Sequence, residues 1–85
     1  MASYSVLIKR SAAKELERLP HKIRRQVVSR ITALAVQPRP AGCEKLTGED
    51  LYRIRQGDYR IVYSIVDAKL IVHVIRIAYR RDVHR

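Results

Sequence analysis

The chain has 85 residues, which is enough for one small domain, residues 1–85, with a modest hydrophobic core. Hydrophobic residues make up 47% of the sequence, but Trp and Phe are absent, so the core must be built from aliphatic side chains and the five Tyr. Eighteen Lys and Arg against eight Asp and Glu give a formal net charge of +10, which favours a polyanionic partner such as nucleic acid, or an acidic protein. The single cysteine, Cys43, excludes an internal disulfide and has no second thiol at metal-ligand spacing.

The N-terminal sequence does not have the features of a targeting signal. Its apolar run is too short for a signal peptide and its charges come in the wrong order. No segment of the chain approaches the roughly 18 apolar residues of a membrane span. We therefore expect a cytoplasmic protein with no membrane partner.

The first elements predicted along the chain are a strand and a short helix. Residues Tyr4–Lys9 are apolar in the middle and include β-branched side chains, which is typical of a strand. Ser11 offers an N-cap for the helix that follows. The apolar positions of this helix recur at helical spacing, at Ala12, Leu16 and Leu19.

Pro20 ends this helix and suits the first turn of a second one, because its fixed φ and missing N–H are tolerated there. The second helix is predicted to run to Gln37, before Pro38 and Pro40 stop it. Its apolar face consists of Ile23, Val27, Ile31 and Leu34. Its other face carries Lys22, Arg24, Arg25 and Arg30. The two helices form an αα-hairpin whose apolar faces can cover one side of a sheet.

The second half of the chain consists mainly of strand-forming sequence. Residues Glu44–Leu46 can add a short edge strand. Residues Leu51–Tyr63 alternate apolar and basic side chains on both sides of Gly57-Asp58, which predicts an antiparallel hairpin. A further β-rich run, Leu70–Ala78, follows a short loop at 67–69. The predicted fold class is α+β, with an N-terminal strand, a two-helix hairpin and then three or four antiparallel strands.

The turn at Gly57-Asp58 decides which side chains of this hairpin share a face. With these two residues as the loop, Arg55 lies opposite Arg60, Arg53 shares their side, and Ile54 projects to the other side. Like charges directly opposite each other destabilise a sheet, so the pattern brings no gain in stability. Arginines on a solvent-facing sheet can serve solubility alone. Three arginines that the strand register brings to one face favour a phosphate-binding site, because phosphate oxygens suit the planar guanidinium donors.

Whether Arg76 joins these arginines depends on the next loop. A three-residue loop pairs Arg60 with Arg76, and puts Arg80 on the same side if the strand runs straight. A two-residue loop reverses the faces. The sequence leaves both registers open.

The C-terminal stretch Ala78–Arg85 places several polar side chains just after the last predicted strand, at Tyr79, Arg80, Arg81 and His84. A basic tail of this kind is solvated in many small proteins. The alternative interpretation is that the tail folds beside the hairpin and supplies groups for proton transfer.

The motifs of this chain resemble those of one protein family. The order of elements, the YRIR strand at 52–55, the GDYRIVY segment at 57–63, the D-x-x-L-x-V-x-V-I run at 67–75 and the R-R-D-V sequence at 80–83 are similar to the RelE family of bacterial toxins, within the wider RelE/ParE superfamily. The resemblance covers nearly the whole chain. It is most specific in Tyr52–Tyr63 and Arg80–Val83.

The resemblance implies a twisted antiparallel sheet with the two helices packed against it. It also implies cleavage of mRNA in the ribosomal A site by attack of a ribose 2′-hydroxyl on the adjacent phosphate, with no metal and no cofactor. The family's basic residues on the penultimate strands fall here on Arg53, Arg55 and Arg60, and its arginine after the last strand falls on Arg80. The implied partners are a cognate antitoxin protein and the ribosome with its mRNA and rRNA.

The proton-transfer groups depart from the family pattern. Members commonly end with a His-Arg pair followed by Tyr, whereas this chain has Tyr79-Arg80 and then His84. The reaction needs a proton acceptor, a donor for the departing 5′-oxygen and cations around the phosphorane. Arginine is a poor base, whereas a histidine with an unperturbed pKa of about 6.5 suits the task. His84 is therefore the first candidate for the base, and Tyr79, beside arginines that favour its ionised form, is the second.

These arguments predict two groups of site residues. The catalytic candidates are Arg55, Arg60, Arg80 and His84. The substrate-binding candidates are Arg53, Arg76, Tyr79 and Arg81. Of the remaining histidines, His21 follows a proline and is expected to be exposed, whereas His73 is expected at the edge of the core.

Two other classes of function stay open. A ParE-like inhibitor of DNA gyrase performs no chemistry, and would have no need of a proton-transfer residue such as the terminal histidine. A plain RNA-binding module usually presents exposed aromatic side chains on which bases stack, and the sequence offers no such platform. The sequence therefore favours the ribosome-dependent endoribonuclease.

Overall fold

The computed structural model of the protein describes residues 3–79, which form a five-stranded sheet with two helices on one side. In chain order the elements are β1 (Ser5–Ile8), α1 (Arg10–Glu17), α2 (His21–Ala33), β2 (Glu44–Lys45), β3 (Tyr52–Gln56), β4 (Tyr59–Val66) and β5 (Ile71–Tyr79). The strand order is β1-β5-β4-β3-β2. β1 runs parallel to β5, and the other neighbouring strands are antiparallel. The predicted α+β fold class is confirmed.

The hydrophobic core lies between the helices and one face of the sheet. The sheet contributes alternate residues that are at most 3% exposed, namely Ile54, Ile61, Tyr63, Val72, Val74 and Ile77. The helical region contributes equally buried side chains, namely Ala12, Val27, Ile31 and Leu34. Because every second strand residue is committed to this core, the residues between them face away from the helices. No helix within residues 3–79 is long and apolar enough to cross a membrane.

The β3–β4 hairpin has the register that its alternating sequence predicts. Arg55 pairs with Arg60, and Ile54 pairs with Ile61. Gly57 in the turn has a φ of +59°, a conformation that glycine adopts without strain. Both isoleucines are fully buried, so a shift of one residue would expose them and bury the arginines. Burial of the isoleucines therefore fixes the side of the sheet on which the arginines lie.

The β4–β5 connection differs from both loop lengths considered from the sequence. Four residues, 67–70, separate the two strands. A β-bulge then shifts the register midway along β4, so that Arg76 pairs with Val62. Arg60 lies opposite Ala78, so the pairing of Arg60 with Arg76 that a three-residue loop would give does not occur. Arg76 nevertheless lies on the same face as Arg60, because the bulge inserts one extra residue into β5.

Both helices differ from their predicted ends. α1 begins at Arg10, directly after β1, because Ala12 has to reach the core from its first turn. Ser11 therefore lies inside the helix, and the predicted N-cap is wrong. α2 ends at Ala33 rather than at Gln37. The next three N–H groups bond to carbonyls three residues back, which tightens the chain after the helix.

The segment that follows α2 is held by polar contacts on the helix side of the sheet. The hydroxyl of Tyr63 donates to the Pro38 carbonyl at 2.6 Å and lies 3.2 Å from Cys43 Sγ, which gives this cysteine a structural contact. Burial, followed by the contact with Cys43, raises the pKa of Tyr63. Arg39 forms an ion pair with Asp67 at 2.9 Å, and its hydrogen bonds lower the pKa of the Asp67 carboxyl.

Glu15 of α1 covers part of the free edge of β5. β1 pairs with β5 only as far as Val74, so the backbone beyond this point has no strand on that side. The Glu15 Oε1 atom accepts a hydrogen bond from the Ile77 N–H at 2.8 Å, and its Oε2 atom lies 3.9 Å from Arg76 Nε. One carboxylate thus satisfies a strand-edge donor and approaches the arginine next to it.

We expect Glu15→Ala to lower the free energy of unfolding by about 1–3 kcal/mol, because it leaves the partly buried Ile77 N–H without its acceptor. Glu15→Gln retains an oxygen acceptor, and should lose less than half as much. Urea unfolding of the two variants beside the natural protein measures the difference. Equal losses for Ala and Gln would show that the charge matters and the hydrogen bond does not.

Candidate functional site

Four arginines lie on the sheet face that the helices leave open, and we call this set the arginine face. Its members are Arg53, Arg55, Arg60 and Arg76. Arg53 and Arg76 lie in one row of paired residues, on either side of Val62. Arg55 and Arg60 form the next row towards the turn. The structure therefore brings together the four predicted arginines that precede residue 80.

These side chains differ in exposure. The Arg53 side chain is 20% exposed, whereas that of Arg76 is 52% exposed. Arg60 is half-buried and Arg55 is exposed. Guanidinium groups partly removed from water interact more strongly with a bound anion than fully solvated ones. The exposure of the donors therefore varies across the face, and the less exposed arginines are Arg53 on β3 and Arg60 on β4.

Glu44 on β2 is a member of this site that the sequence did not reveal. It pairs with Arg53 across the two strands, and its Oε1 atom accepts a hydrogen bond from Arg53 Nη2 at 2.8 Å. This hydrogen bond and charge lower the pKa of the Glu44 carboxyl, and the charges of Arg55 and Arg60 lower it further. The three arginines of the hairpin therefore act on a single carboxylate. The sequence signal was the edge strand itself, since a strand beside β3 places one residue opposite Arg53.

Of the two histidines within residues 3–79, one lies on α2 and the other lies on the open face, in the row next to that of Arg53 and Arg76. His21 is exposed at the start of α2, as expected, with its Nδ1 atom 3.4 Å from Arg24 Nη2. His73 pairs with Ser64 on the open face, so the prediction that it lies at the edge of the core is wrong. Its neighbours Val72 and Val74 take the core positions.

Tyr79 belongs to β5 and is not part of a tail beyond it. It pairs with Tyr59, and the two rings meet edge to face with their centroids 5.4 Å apart. Tyr59 and Ile61 are two residues apart on β4 and share the helix side of the sheet. Tyr79 pairs with Tyr59, so it also projects away from the arginine face. Arg80, Arg81 and His84 lie outside the described residues, and their roles stay predictions.

The donor set of this face suits an anion. Guanidinium groups offer charged N–H donors in a planar fork that matches two oxygens of a phosphate or carboxylate. Arginine holds its charge at all physiological pH values, so the four guanidinium groups can bind and stabilise negative charge but cannot accept a proton. Within residues 3–79 there is no cluster of three or more His, Cys, Asp or Glu placed to hold a metal ion.

Comparison with known proteins assigns the chain to a family. Residues 6–84 match the family described as "ParE toxin of type II toxin-antitoxin system, parDE". The chain belongs to the RelE/ParE superfamily of type II toxins. The resemblance found in the sequence is therefore confirmed.

Individual relatives carry the RelE name. The toxin is 38% identical over 84 residues to Toxin RelE of Mycobacterium tuberculosis, an alignment that covers 96% of this chain and 87% of the relative. It is 35% identical over 72 residues to mRNA interferase toxin RelE of Escherichia coli, covering 81% of this chain and 75% of the relative.

The fold of the toxin is also that of solved toxin structures. The toxin-antitoxin complex RelBE2 from Mycobacterium tuberculosis contains a chain that superposes with a TM-score of 0.83 at 28% identity, covering 93% of this chain and 100% of that one. The toxin therefore belongs to a type II toxin-antitoxin system, in which its partner is a cognate antitoxin.

We expect Glu44→Gln to strengthen the binding of inorganic pyrophosphate to the toxin by about two- to five-fold, because the carboxylate competes with the ligand for Arg53. Isothermal titration calorimetry at low salt measures the affinity. Glu49→Gln, in the loop between β2 and β3, removes the same charge from an exposed position and is the matched control. If both variants gain equally, the effect comes from net charge and not from competition at Arg53.

Proposed function

We propose that the toxin is a ribosome-dependent mRNA endoribonuclease, an mRNA interferase, that inhibits translation. The observation that carries the proposal is the convergence of Arg53, Arg55 and Arg60 on one side of the sheet, where all three act on the same carboxylate. An anionic group of RNA that takes the place of Glu44 would meet the same three charges. The relative named mRNA interferase toxin RelE supports the choice of RNA as the substrate.

The proposed reaction is an internal phosphoryl transfer. The ribose 2′-oxygen forms a bond to the adjacent phosphorus as the bond from phosphorus to the 5′-oxygen breaks, which gives a 2′,3′-cyclic phosphate and a free 5′-hydroxyl. Negative charge builds on the non-bridging oxygens in the transition state, and preorganised cations at that place stabilise it. We assign this role to Arg55 and Arg60 on the described face and to Arg80 after it.

The reaction also needs a group that accepts the 2′-hydroxyl proton and a group that returns one to the 5′-oxygen. We assign proton transfer to His84, since histidine changes its protonation near neutral pH. Tyr79 is the alternative. Its position on the helix side, against Tyr59, favours His84 for chemistry on the arginine face. Arg53, Arg76 and Arg81 are proposed to hold the RNA, whereas Tyr79 projects from the other side of the sheet and could contact RNA only there.

The proposed partners follow from charge and from the relatives. The +10 net charge suits rRNA and mRNA in the ribosome, and it also suits an antitoxin that supplies carboxylates to the arginine face. We propose that the toxin acts in the cytoplasm, where translating ribosomes are found. No metal or other cofactor takes part in the proposed reaction.

Inhibition of DNA gyrase is the second candidate function. It is supported by the match to the family described as ParE toxin. An inhibitor of this kind needs a binding surface and no bond cleavage, so the convergent arginines would then serve binding alone.

Primer extension on mRNA after induction of the toxin separates these two functions. We expect new 5′ ends at fixed positions within codons, confined to translated messages. A matched message whose start codon is removed should stay intact. Cleavage of the untranslated message would remove the ribosome from the proposal, and intact mRNA during growth arrest would favour gyrase.

We further expect Arg60→Ala to reduce the rate of mRNA cleavage by about 100- to 1,000-fold, as is typical when one preorganised donor to a developing charge is lost. Lys69→Ala, at an exposed position in the β4–β5 connection, removes the same charge and should cleave normally. Single-turnover cleavage on programmed ribosomes gives both rates. Normal cleavage by a folded Arg60→Ala protein would remove this residue from the mechanism.

A further inference from the structure

A second basic surface lies on the helix side of the sheet and borders the arginine face at the edge of β3. It is a groove of about 500 Å³ between the outer side of α2 and the end of β3, and we call it the α2 groove. Its lining consists of His21, Lys22, Arg25, Gln26, Ser29, Arg30 and Gln56. Three cations and one histidine line this groove, and no carboxylate does.

The cations of the α2 groove have no acidic counterpart within residues 3–79. The ion pairs of the described chain include those of Arg39 with Asp67, Arg53 with Glu44 and Arg76 with Glu15. None of them involves Lys22, Arg25 or Arg30. On the arginine face, by contrast, Glu44 offsets part of the charge. The α2 groove is therefore the less neutralised of the two surfaces.

The sequence of α2 also opposes helix stability at this end. The N-terminal end of a helix carries partial positive charge, which favours acidic residues in the first turn. α2 has none there, and starts with His21 and Lys22 after Pro20, whose side chain cannot cap the free N–H groups. Lys22 lies where the helix dipole disfavours a cation, and a bound anion would relieve the repulsion.

The α2 groove meets the arginine face at the edge of β3. β2 pairs only with Tyr52 and Arg53, so the rest of β3 has no strand on that side. Arg30 Nη2 reaches over this edge and donates to the Arg55 carbonyl at 3.4 Å. The basic surface thus continues from Arg55, through Arg30 and Gln56, into the groove.

We propose that the α2 groove is a second phosphate-binding surface that holds the sugar-phosphate backbone of a folded RNA, and that it contributes affinity and not chemistry. The proposal rests on the proposed function as a ribosome-dependent nuclease, since a ribosome presents structured RNA beside the message. The residue types that line the groove favour RNA over an amphipathic peptide. Gln26, Ser29 and Gln56 offer hydrogen bonds, and no large apolar side chain lines the groove to receive a hydrophobic anchor.

The spacing along α2 fits a repeating chain of phosphates. Lys22, Gln26 and Ser29 follow one another by about one helical turn, or about 5.4 Å, on the side that lines the groove. Arg25 and Arg30 lie beside this line. A row of charged and polar donors can contact consecutive phosphates of one strand, and contacts to phosphate carry no sequence preference.

The test uses the full-length toxin and an RNA hairpin whose riboses are all 2′-O-methylated, which has no free 2′-hydroxyl and cannot be cut. We expect Lys22→Ala combined with Arg25→Ala to weaken binding at least tenfold at low salt in fluorescence anisotropy. The slope of log affinity against log salt should fall by about 1.4–1.8, the value for two lost phosphate contacts. Lys9→Ala combined with Lys69→Ala removes the same two charges from exposed positions elsewhere and is the matched control.

Urea unfolding shows that the comparison is made between folded proteins. The groove variant should be at least as stable as the natural toxin, because it removes cations from the positive end of α2. Equal RNA affinity and equal salt slope for the groove variant and the control would overturn the proposal. Loss of binding to a polyglutamate peptide, with RNA binding as in the control, would also overturn it and assign the α2 groove to an acidic protein partner.

The same measurements separate this inference from the proposed function. The hairpin probe reports binding whether or not the toxin is a nuclease. A toxin that binds the hairpin through the α2 groove but leaves translated mRNA intact would refute the nuclease proposal and leave the RNA surface in place. If the toxin cleaves translated mRNA but its groove variant binds the hairpin as well as the control does, the RNA surface is refuted and the nuclease proposal stands.

Discussion

The arrangement of this protein depends on the burial of Ile54 and Ile61 beneath the helices. Both side chains are fully buried, and they pair directly across β3 and β4. Burying a side chain of this size stabilises a fold by about 1.5–3 kcal/mol, whereas a like-charge pair across two strands destabilises it by a fraction of that. The isoleucines therefore outweigh the repulsion between Arg55 and Arg60. The core holds together charges that would separate if the hairpin were free.

Two carboxylates offset part of the positive charge on the open face. Glu44 meets Arg53 because β2 adds to the outer edge of β3, and Glu15 approaches Arg76 because α1 lies along the outer edge of β5. Each carboxylate sits at one margin of the sheet, and the paired arginines of the central hairpin lie between them. An anion bound at the centre would interact with the paired arginines, and it would compete with Glu44 for Arg53.

The alternation of apolar and basic residues predicted the register of the β3–β4 hairpin, which depends on neighbouring residues alone. The hairpin register follows from period-two alternation and a glycine turn, and both agree with the core. The face of Arg76 could not be derived in this way. A four-residue loop alone would have turned Arg76 towards the helices, and the β-bulge reverses this by one residue. A bulge of this kind depends on packing between distant strands and has no local sequence signal here.

The other differences have the same origin. Ser11 is a good N-cap by type, but α1 starts earlier because Ala12 has to reach the core from the first turn. α2 stops before the prolines, and the segment after it bonds to the chain that leads into β1, where the Tyr4 N–H donates to the Ala35 carbonyl at 2.7 Å. Glu44 was placed on an edge strand by the sequence, but its partner depends on a pairing between strands separated by a loop. Contacts made across the chain decided each of these cases.

The distribution of charge in this domain departs from a pattern that would serve solubility alone. Exposed positions that serve only solubility can alternate the two signs, which avoids repulsion and supports each helix through its dipole. This chain instead sets arginine opposite arginine on β3 and β4, and starts α2 with cations and no acid. Both departures lower the stability of the isolated domain, and they lie on the two sides of the same strand end, joined by Arg30 at the β3 edge. A polyanion that covers this strand end would remove both costs together, so the free toxin is poised for a partner that carries the missing negative charge.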